Sequence, residues 1–238
     1  DVGLGRNSAI ASIIHDVVRI AIQQSQPTNE LFNAIRHDYG EEVLGIVLAL
    51  CKISDIKLKV SKEQASDFRD MIVSYSEDPR VILIKLADRL EVMRSLDIFP
   101  EAKRRTKSWE SLNLYAQIAH KLGLYAIKSE LEDLSLKYLE TEAYNHIVHE
   151  LKESEKERMA FIEEFLKPIR ELLDRDGLKY HIKSRTKSVY SIFQKMRKQK
   201  VSFKGVYDIF ALRIIIDCPV EREKALCWTV YSHVASLY

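Results

Sequence analysis

Apolar residues at helical spacing recur along most of this 238-residue chain. It is therefore expected to be mainly α, with one short α/β stretch near the C-terminal end. Three observations support this. Stripes at i, i+3, i+4 and i+7 return in segment after segment. Seven glycines and five prolines are few for this length and suit helices joined by short connections. Two strand-like stretches stand out, the alternating Lys179–Arg185 and the apolar run Phe210–Ile216, with a helical stripe between them.

Composition narrows the function. The chain carries 37 Lys and Arg against 35 Asp and Glu, a net charge of +2. That near balance argues against a general nucleic-acid binder, which would be lopsidedly basic, so no direct DNA binding is expected. The positive charge is local, around residues 183–204, and fits a small anionic ligand better. Cys51, Cys218 and Cys227 have no metal-ligand spacing and are odd in number, as expected of a reduced, cytoplasmic chain. No apolar run reaches membrane-span length and no signal-peptide pattern is present. The chain opens on Asp1 rather than Met and closes inside an apparent helix, so it reads as an excerpt of a longer protein.

Taken in order, Ser8–Val18 reads SAIASIIHDVV. Ile10, Ile13, Ile14 and Val17 are expected to form its apolar stripe, with His15 and Asp16 beside it. A polar loop with Pro27 precedes a helix from Glu30, and Cys51–Asp55 ends the next. Residues 57–63 read as a charged linker and 64–77 as an amphipathic helix. In Val81–Met93, Leu83, Leu86, Ala87 and Leu90 make a stripe and Asp88 lies off it. Leu114, Ile118 and Leu122 face one way, Gly123 breaks the helix, and Ile127, Leu131 and Leu134 start the next stripe. Glu130, Glu132 and Asp133 read as its solvated face, and His120 as a packed or surface residue. Glu140–Arg175 is a strongly charged helical stretch, with His146 and His149 on its surface and a kink or junction at Pro168. Gly177 stops it. A final amphipathic helix, Glu221–Tyr238, is expected to cover the sheet through Ala225, Trp228, Val230, Tyr231 and Val234.

The most informative stretch lies between the two strands. Thr186 or Ser188 can cap a helix, and Val189, Ile192, Phe193 and Met196 then form one apolar face. Lys187, Ser191 and Lys195 recur one turn apart on the other side, and Arg185 stands just before the helix. Free N–H groups and fixed positive charge converge there, which suits a polyphosphate. Asp208, just ahead of the second strand, is placed to hold Mg²⁺, a cation that takes one or two carboxylates plus substrate phosphates. On charge pattern alone, a solvated basic helix face explains the same residues.

These segments, SRTKSVYSIFQKM and VYDIFALRIII, resemble the synthetase signature of the RelA/SpoT family, long-form enzymes of guanosine tetra- and pentaphosphate, (p)ppGpp. LYAQIAHKLGLYAIKSELEDLSLKYLETEAY resembles that family's YxPLAxRLGxxxIKxELEDLxFxYLxPxxY run, and LADRLEVMR its LADRLHNMR. The resemblance covers nearly the whole chain. It implies an all-helical HD-type hydrolase domain over 1–140, a helical connector over 141–176, and a partial α/β nucleotidyltransferase-like synthetase domain over 177–238. The implied activity is pyrophosphoryl transfer from ATP to the 3′-hydroxyl of GTP or GDP, giving (p)ppGpp. By matching positions, Arg185 contacts the ATP base, Lys187, Ser191 and Lys195 hold its phosphates, and Asp208 holds Mg²⁺. Arg213 is a weaker candidate. The guanine-stacking tyrosine and a second acidic residue fall after Tyr238 in the family, and the C-terminal region beyond is where a ribosome or regulatory ligands would act.

The same resemblance maps His15, Asp16 and Asp88 onto three ligands of an Mn²⁺ site whose fourth, a histidine, lies before Asp1. Here the chain departs from the family pattern. Hydrolase-competent members read HDVVED where this sequence reads HDVVRI, so Arg19 and Ile20 replace the Glu-Asp pair that serves the attacking water. Val92 replaces an asparagine. Arg19 is i+4 from His15 and i+3 from Asp16, so it shares their helix face. A guanidinium keeps its charge there and repels a divalent ion. The expectation is a synthetase with a retired hydrolase domain. Two alternatives stand beside it: an Mn²⁺-dependent (p)ppGpp hydrolase that tolerates Arg19 and Val92, and a non-enzymatic module that only binds nucleotide.

Overall fold

The structure, a computed structural model, describes residues 3–55 and 78–238. The expected linker and helix over 57–77 lie outside the described residues. The chain is mainly α and divides into two compact units, Asp1–Leu139 and Glu140–Tyr238.

The first unit is helical among its described residues. Helices α1 (Arg6–Gln23), α2 (Asn29–Tyr39) and α3 (Glu41–Asp55) precede α4 (Pro79–Arg94). A 3₁₀ turn (Leu96–Ile98), α5 (Glu101–Glu110), a π turn (Ser111–Tyr115), α6 (Ala116–Lys121) and α7 (Tyr125–Leu139) follow. Helix α4 starts where Asp78 caps it, accepting from Arg80 N, with Pro79 at the first turn where its missing N–H costs nothing. Its two faces serve two cores. Val81 and Ile84 join Ala11, Val18, Val47 and Leu50 of α1 and α3, while Leu86, Leu90 and Met93 join Leu114, Ile118 and Leu131. Asp88 stands off both, exposed.

Several expected faces turn out differently. In α1 the buried line is Ser8, Ala11, His15, Val18 and Ala21, whereas Ile13 and Val17 are 77% and 59% exposed. Small residues at Ser8, Ala11 and Ala21 occupy the face packed against α3, and His15 lies within that face rather than beside it. Leu122 is also exposed, since the helix ends beside it at Gly123, whose φ of +72° suits a residue without a Cβ. Glu132 is buried, not solvated: it takes a hydrogen bond from Lys128 Nζ at 2.7 Å, one helical turn away. Glu130 instead pairs with Arg94 at 2.6 Å.

In the second unit the charged stretch is two helices, α8 (Thr141–Glu153) and α9 (Glu155–Arg175). They part at Ser154, whose hydroxyl turns back to donate to Glu150 O. Pro168 lies inside α9, and Gly177 follows it at φ +66°. Strands β1 (Tyr180–Thr186) and β2 (Phe210–Ile216) pair antiparallel, from Tyr180 opposite Ile216 to Thr186 opposite Phe210. Between them run α10 (Val189–Gln199) and a 3₁₀ turn (Phe203–Gly205), and α11 (Val220–Leu237) closes the chain.

Alternation along the two strands sorts their side chains. Ile182, Leu212, Ile214 and Ile216 pack with Ile162, Leu166, Ile169 and Leu173 of α9 and Val230 of α11. Helix α11 covers the sheet only through Val230 and Val234; Trp228 and Tyr231 are 63% and 66% exposed and pack edge-to-face on each other. The opposite face of the strands is left for the site.

Candidate nucleotide site and the His15–Asp16 pair

A cleft of about 710 Å³ opens on that free face, lined by Lys183, Arg185, Arg213, Lys187, Ser191 and Lys195 among others. Each lining group is there for a local reason. Lys183 and Arg185 are alternate residues of β1 and so share one face. The register sets Lys183 directly opposite Arg213, two like charges with no carboxylate partner among the described residues, a pairing that disfavours the empty sheet. The ladder runs one residue past the strand, because Lys187 N donates to Ile209 O at 2.8 Å, and this brings Lys187 alongside Asp208. Ser188 is the cap of α10: its hydroxyl accepts from Ser191 N, with Ser191 Oγ 2.8 Å away. Ile192 and Phe193 are buried, which turns Ser191 and Lys195 to the cleft.

At the end of this row three charged groups meet. Lys195 Nζ donates to Asp208 Oδ2 at 2.6 Å, and Lys187 Nζ donates to the same oxygen. Asp208 is the only carboxylate in the sequence between Lys179 and Arg213. Its backbone is left-handed, φ +73°, a region non-glycine residues seldom occupy except Asn and Asp. The Lys187 and Lys195 hydrogen bonds hold its carboxyl far down, at about 2, and the same bond pushes Lys195 up. Asp208 thus stays ionised and more than half exposed, with both lysine bonds on Oδ2. One hard, ionised oxygen ligand beside a row of cations fits Mg²⁺, a cation that takes one or two carboxylates and completes its shell with phosphate oxygens and water.

The other candidate residues are not gathered in this way. His15 is buried, and its Nδ1 lies 2.8 Å from Ser12 O; since a carbonyl only accepts, Nδ1 carries the proton and Nε2 is left as the ligating atom. Asp16 is occupied: Arg19 Nε and Nη2 both donate to its Oδ1, at 2.9 and 2.6 Å. Burial works against the charge of Asp16, yet the Arg19 bonds and charge help outweigh it, and the carboxyl lies below the ordinary range. Asp88 contacts Lys85 at 3.8 Å instead. Lys85 is itself largely buried, which pushes its ammonium down. Among the described residues no three His, Cys, Asp or Glu side chains are grouped to hold a metal ion. Asp16 is thus engaged by the guanidinium of Arg19 through Oδ1, and Asp88 by the ammonium of Lys85. Ile20 is exposed, and Val92 packs against the second core.

Sequence reasoning passed over Lys183 and Lys85. For Lys183 the signal was available, since it shares the alternation of Arg185; for Lys85 no spacing rule ties it to Asp16.

Comparison with known proteins agrees with both halves. A family model described as "HD domain" matches residues 1–125, and one described as "Region found in RelA / SpoT proteins" matches residues 184–238. The chain is 36% identical over 239 residues, all of its length and 32% of the relative's, to the guanosine-3′,5′-bis(diphosphate) 3′-pyrophosphohydrolase of Aquifex aeolicus. It is 36% identical over 227 residues to the GTP pyrophosphokinase of Myxococcus xanthus, covering 94% of the chain and 29% of that protein. It is 31% identical over 228 residues to the GTP pyrophosphokinase rsh of Brucella melitensis, covering 95% and 29%. An HD-domain chain with a separate cationic cleft is the class these features define. The chain belongs to the RelA/SpoT family. It spans about a third of the length of these relatives, whose names divide between two opposite reactions.

Proposed function

We propose that this chain carries the ATP-binding half of a (p)ppGpp synthetase, which moves the β,γ-diphosphate of ATP to the 3′-oxygen of GTP or GDP. The observation that supports this most is the convergence of Lys187 and Lys195 on Asp208 beside Arg185 in an open cleft. In this reading the 3′-oxygen attacks the β-phosphorus, the bond from that phosphorus to the α,β-bridging oxygen breaks, and AMP leaves. Arg185 lies along the base, since guanidinium planes stack on aromatic faces, and Arg213 offers a second such plane. Lys187, Ser191 and Lys195 hold the phosphates and stabilise charge that builds on them as the bond breaks. Asp208 holds Mg²⁺, which when bound neutralises the phosphate oxygens.

The helical unit is proposed to be a retired hydrolase. Arg19 supplies a permanent positive charge on Asp16, where hydrolysis needs a cation with open coordination positions, and Ile20 and Val92 offer no proton-handling group. The protein is proposed to work in the cytoplasm, where its three free thiols and its nucleotide substrates coexist; no described helix is long and apolar enough to cross a membrane.

The test is a radiolabelled transfer assay on the complete protein that contains this chain. Lys187→Ala or Asp208→Ala is expected to lower the rate by about 10²-fold or more, the loss seen when one preorganised charge-stabilising group is removed. Product formation at the wild-type rate after either change would remove the assignment.

A further inference from the structure

Asp208 pairs with two of the lysines that line the cleft, and this pairing has a bearing on which ligand can enter it. Two ammonium groups share one oxygen of Asp208, and the local sequence offers them no other carboxylate. These are the same two lysines that the phosphates need. A metal-free polyphosphate reaching them meets a carboxylate already seated there, and like charges at close range in a cleft are poorly screened. The carboxylate can leave without unpacking a core, since its side chain is 55% exposed and both lysine bonds fall on Oδ2. The backbone beneath it is anchored on either side by buried Val206 and the start of β2, and its side chain reaches Lys187 and Lys195.

We propose that Asp208 is a selectivity latch: it occupies the phosphate-binding lysines until a divalent cation draws its carboxylate away, so the cleft takes a nucleoside triphosphate as its metal complex and turns away the metal-free form. This rests on the reading of the cleft as a nucleotide site, and adds to metal ligation a second task for the same carboxylate. Linkage makes the effect reciprocal, with metal and nucleotide each tightening the other.

Calorimetric titration of ATP into wild type and Asp208→Asn, each in excess EDTA and in excess Mg²⁺, tests it. Asparagine keeps the left-handed backbone and removes the charge; Asp208→Gly, which also accepts that backbone, serves if the first variant is unstable. Mg²⁺ complexes ATP in solution equally for both proteins, so the difference between proteins is the quantity read. In EDTA the variant is expected to bind about tenfold more tightly than wild type, within the usual range for coupled ligands, and in Mg²⁺ no more tightly. A variant that binds ATP in EDTA no better than wild type overturns the latch. If wild-type binding in Mg²⁺ is then still lost in Lys195→Ala, the nucleotide reading stands without it. Absence of any wild-type binding in Mg²⁺ sinks both.

Discussion

Asp208 and Arg19 do opposite things with one carboxylate each. In the cleft, two lysines gather on an aspartate that is exposed and can be released. On α1, a guanidinium closes on Asp16 through two nitrogens, leaving that oxygen no room for a cation. The first arrangement has a definite pH signature. Because the Asp208 carboxyl is lowered from 3.8 to about 2, its pairing contributes fully above 3.8 and is lost as pH falls through about 2. Lys195 is raised, so its share is complete below its ordinary 10.5 and is lost as pH climbs through the higher folded value. Carbon-detected NMR of the Asp208 carboxyl should give a midpoint near 2 in the wild type and a higher one in Lys195→Ala; equal midpoints would mean the contact is not made in solution. For the second arrangement, Mn²⁺ should leave the His15 ring signals sharp. Broadening of those signals would reveal a metal site on α1 after all.

Among the elements, α10 was the most legible. Its apolar stripe and its cap both follow from spacing, and Ser188→Ala should cost about 1 kcal/mol of stability, read by denaturant unfolding; a change near zero would mean the cap is not used. The alternation in β1 and the apolar run of β2 set their bounds to within a residue. What spacing could not supply was the join between them. The left-handed turn at Asp208 has no glycine to announce it, and the step of the ladder to Ile209 that brings Lys187 beside Asp208 depends on tertiary register. Helix α1 shows the converse error. Ile13 and Val17 have helical spacing and strong hydrophobicity, but close approach of α3 selects small residues, and the larger side chains stay outside. Glu132 was misread for a related reason: a charge is expected outside, and nothing in the spacing says that Lys128 follows it inward.

At the scale of the whole chain, the two compact units are proposed to carry separate chemistry. Hydrogen exchange in the presence of Mg²⁺ and ATP should slow in residues 183–195 and 208–213 and leave 6–55 and 79–139 as they were. Protection centred on α1 and α4 would assign the nucleotide to the wrong unit. The resemblance that covers nearly the whole chain could not by itself choose between making and breaking the 3′-diphosphate, because relatives of equal similarity are named for each. Arg19 on Asp16 and the lysines on Asp208 are the features on which the proposed choice of synthesis rests. Phosphorus NMR on the complete protein decides it most directly. With ATP, GTP and Mg²⁺, signals of a new 3′-diphosphate should grow as AMP appears, and with ppGpp and Mn²⁺ no pyrophosphate should be released. Pyrophosphate release in the second tube, with no transfer in the first, would contradict the account.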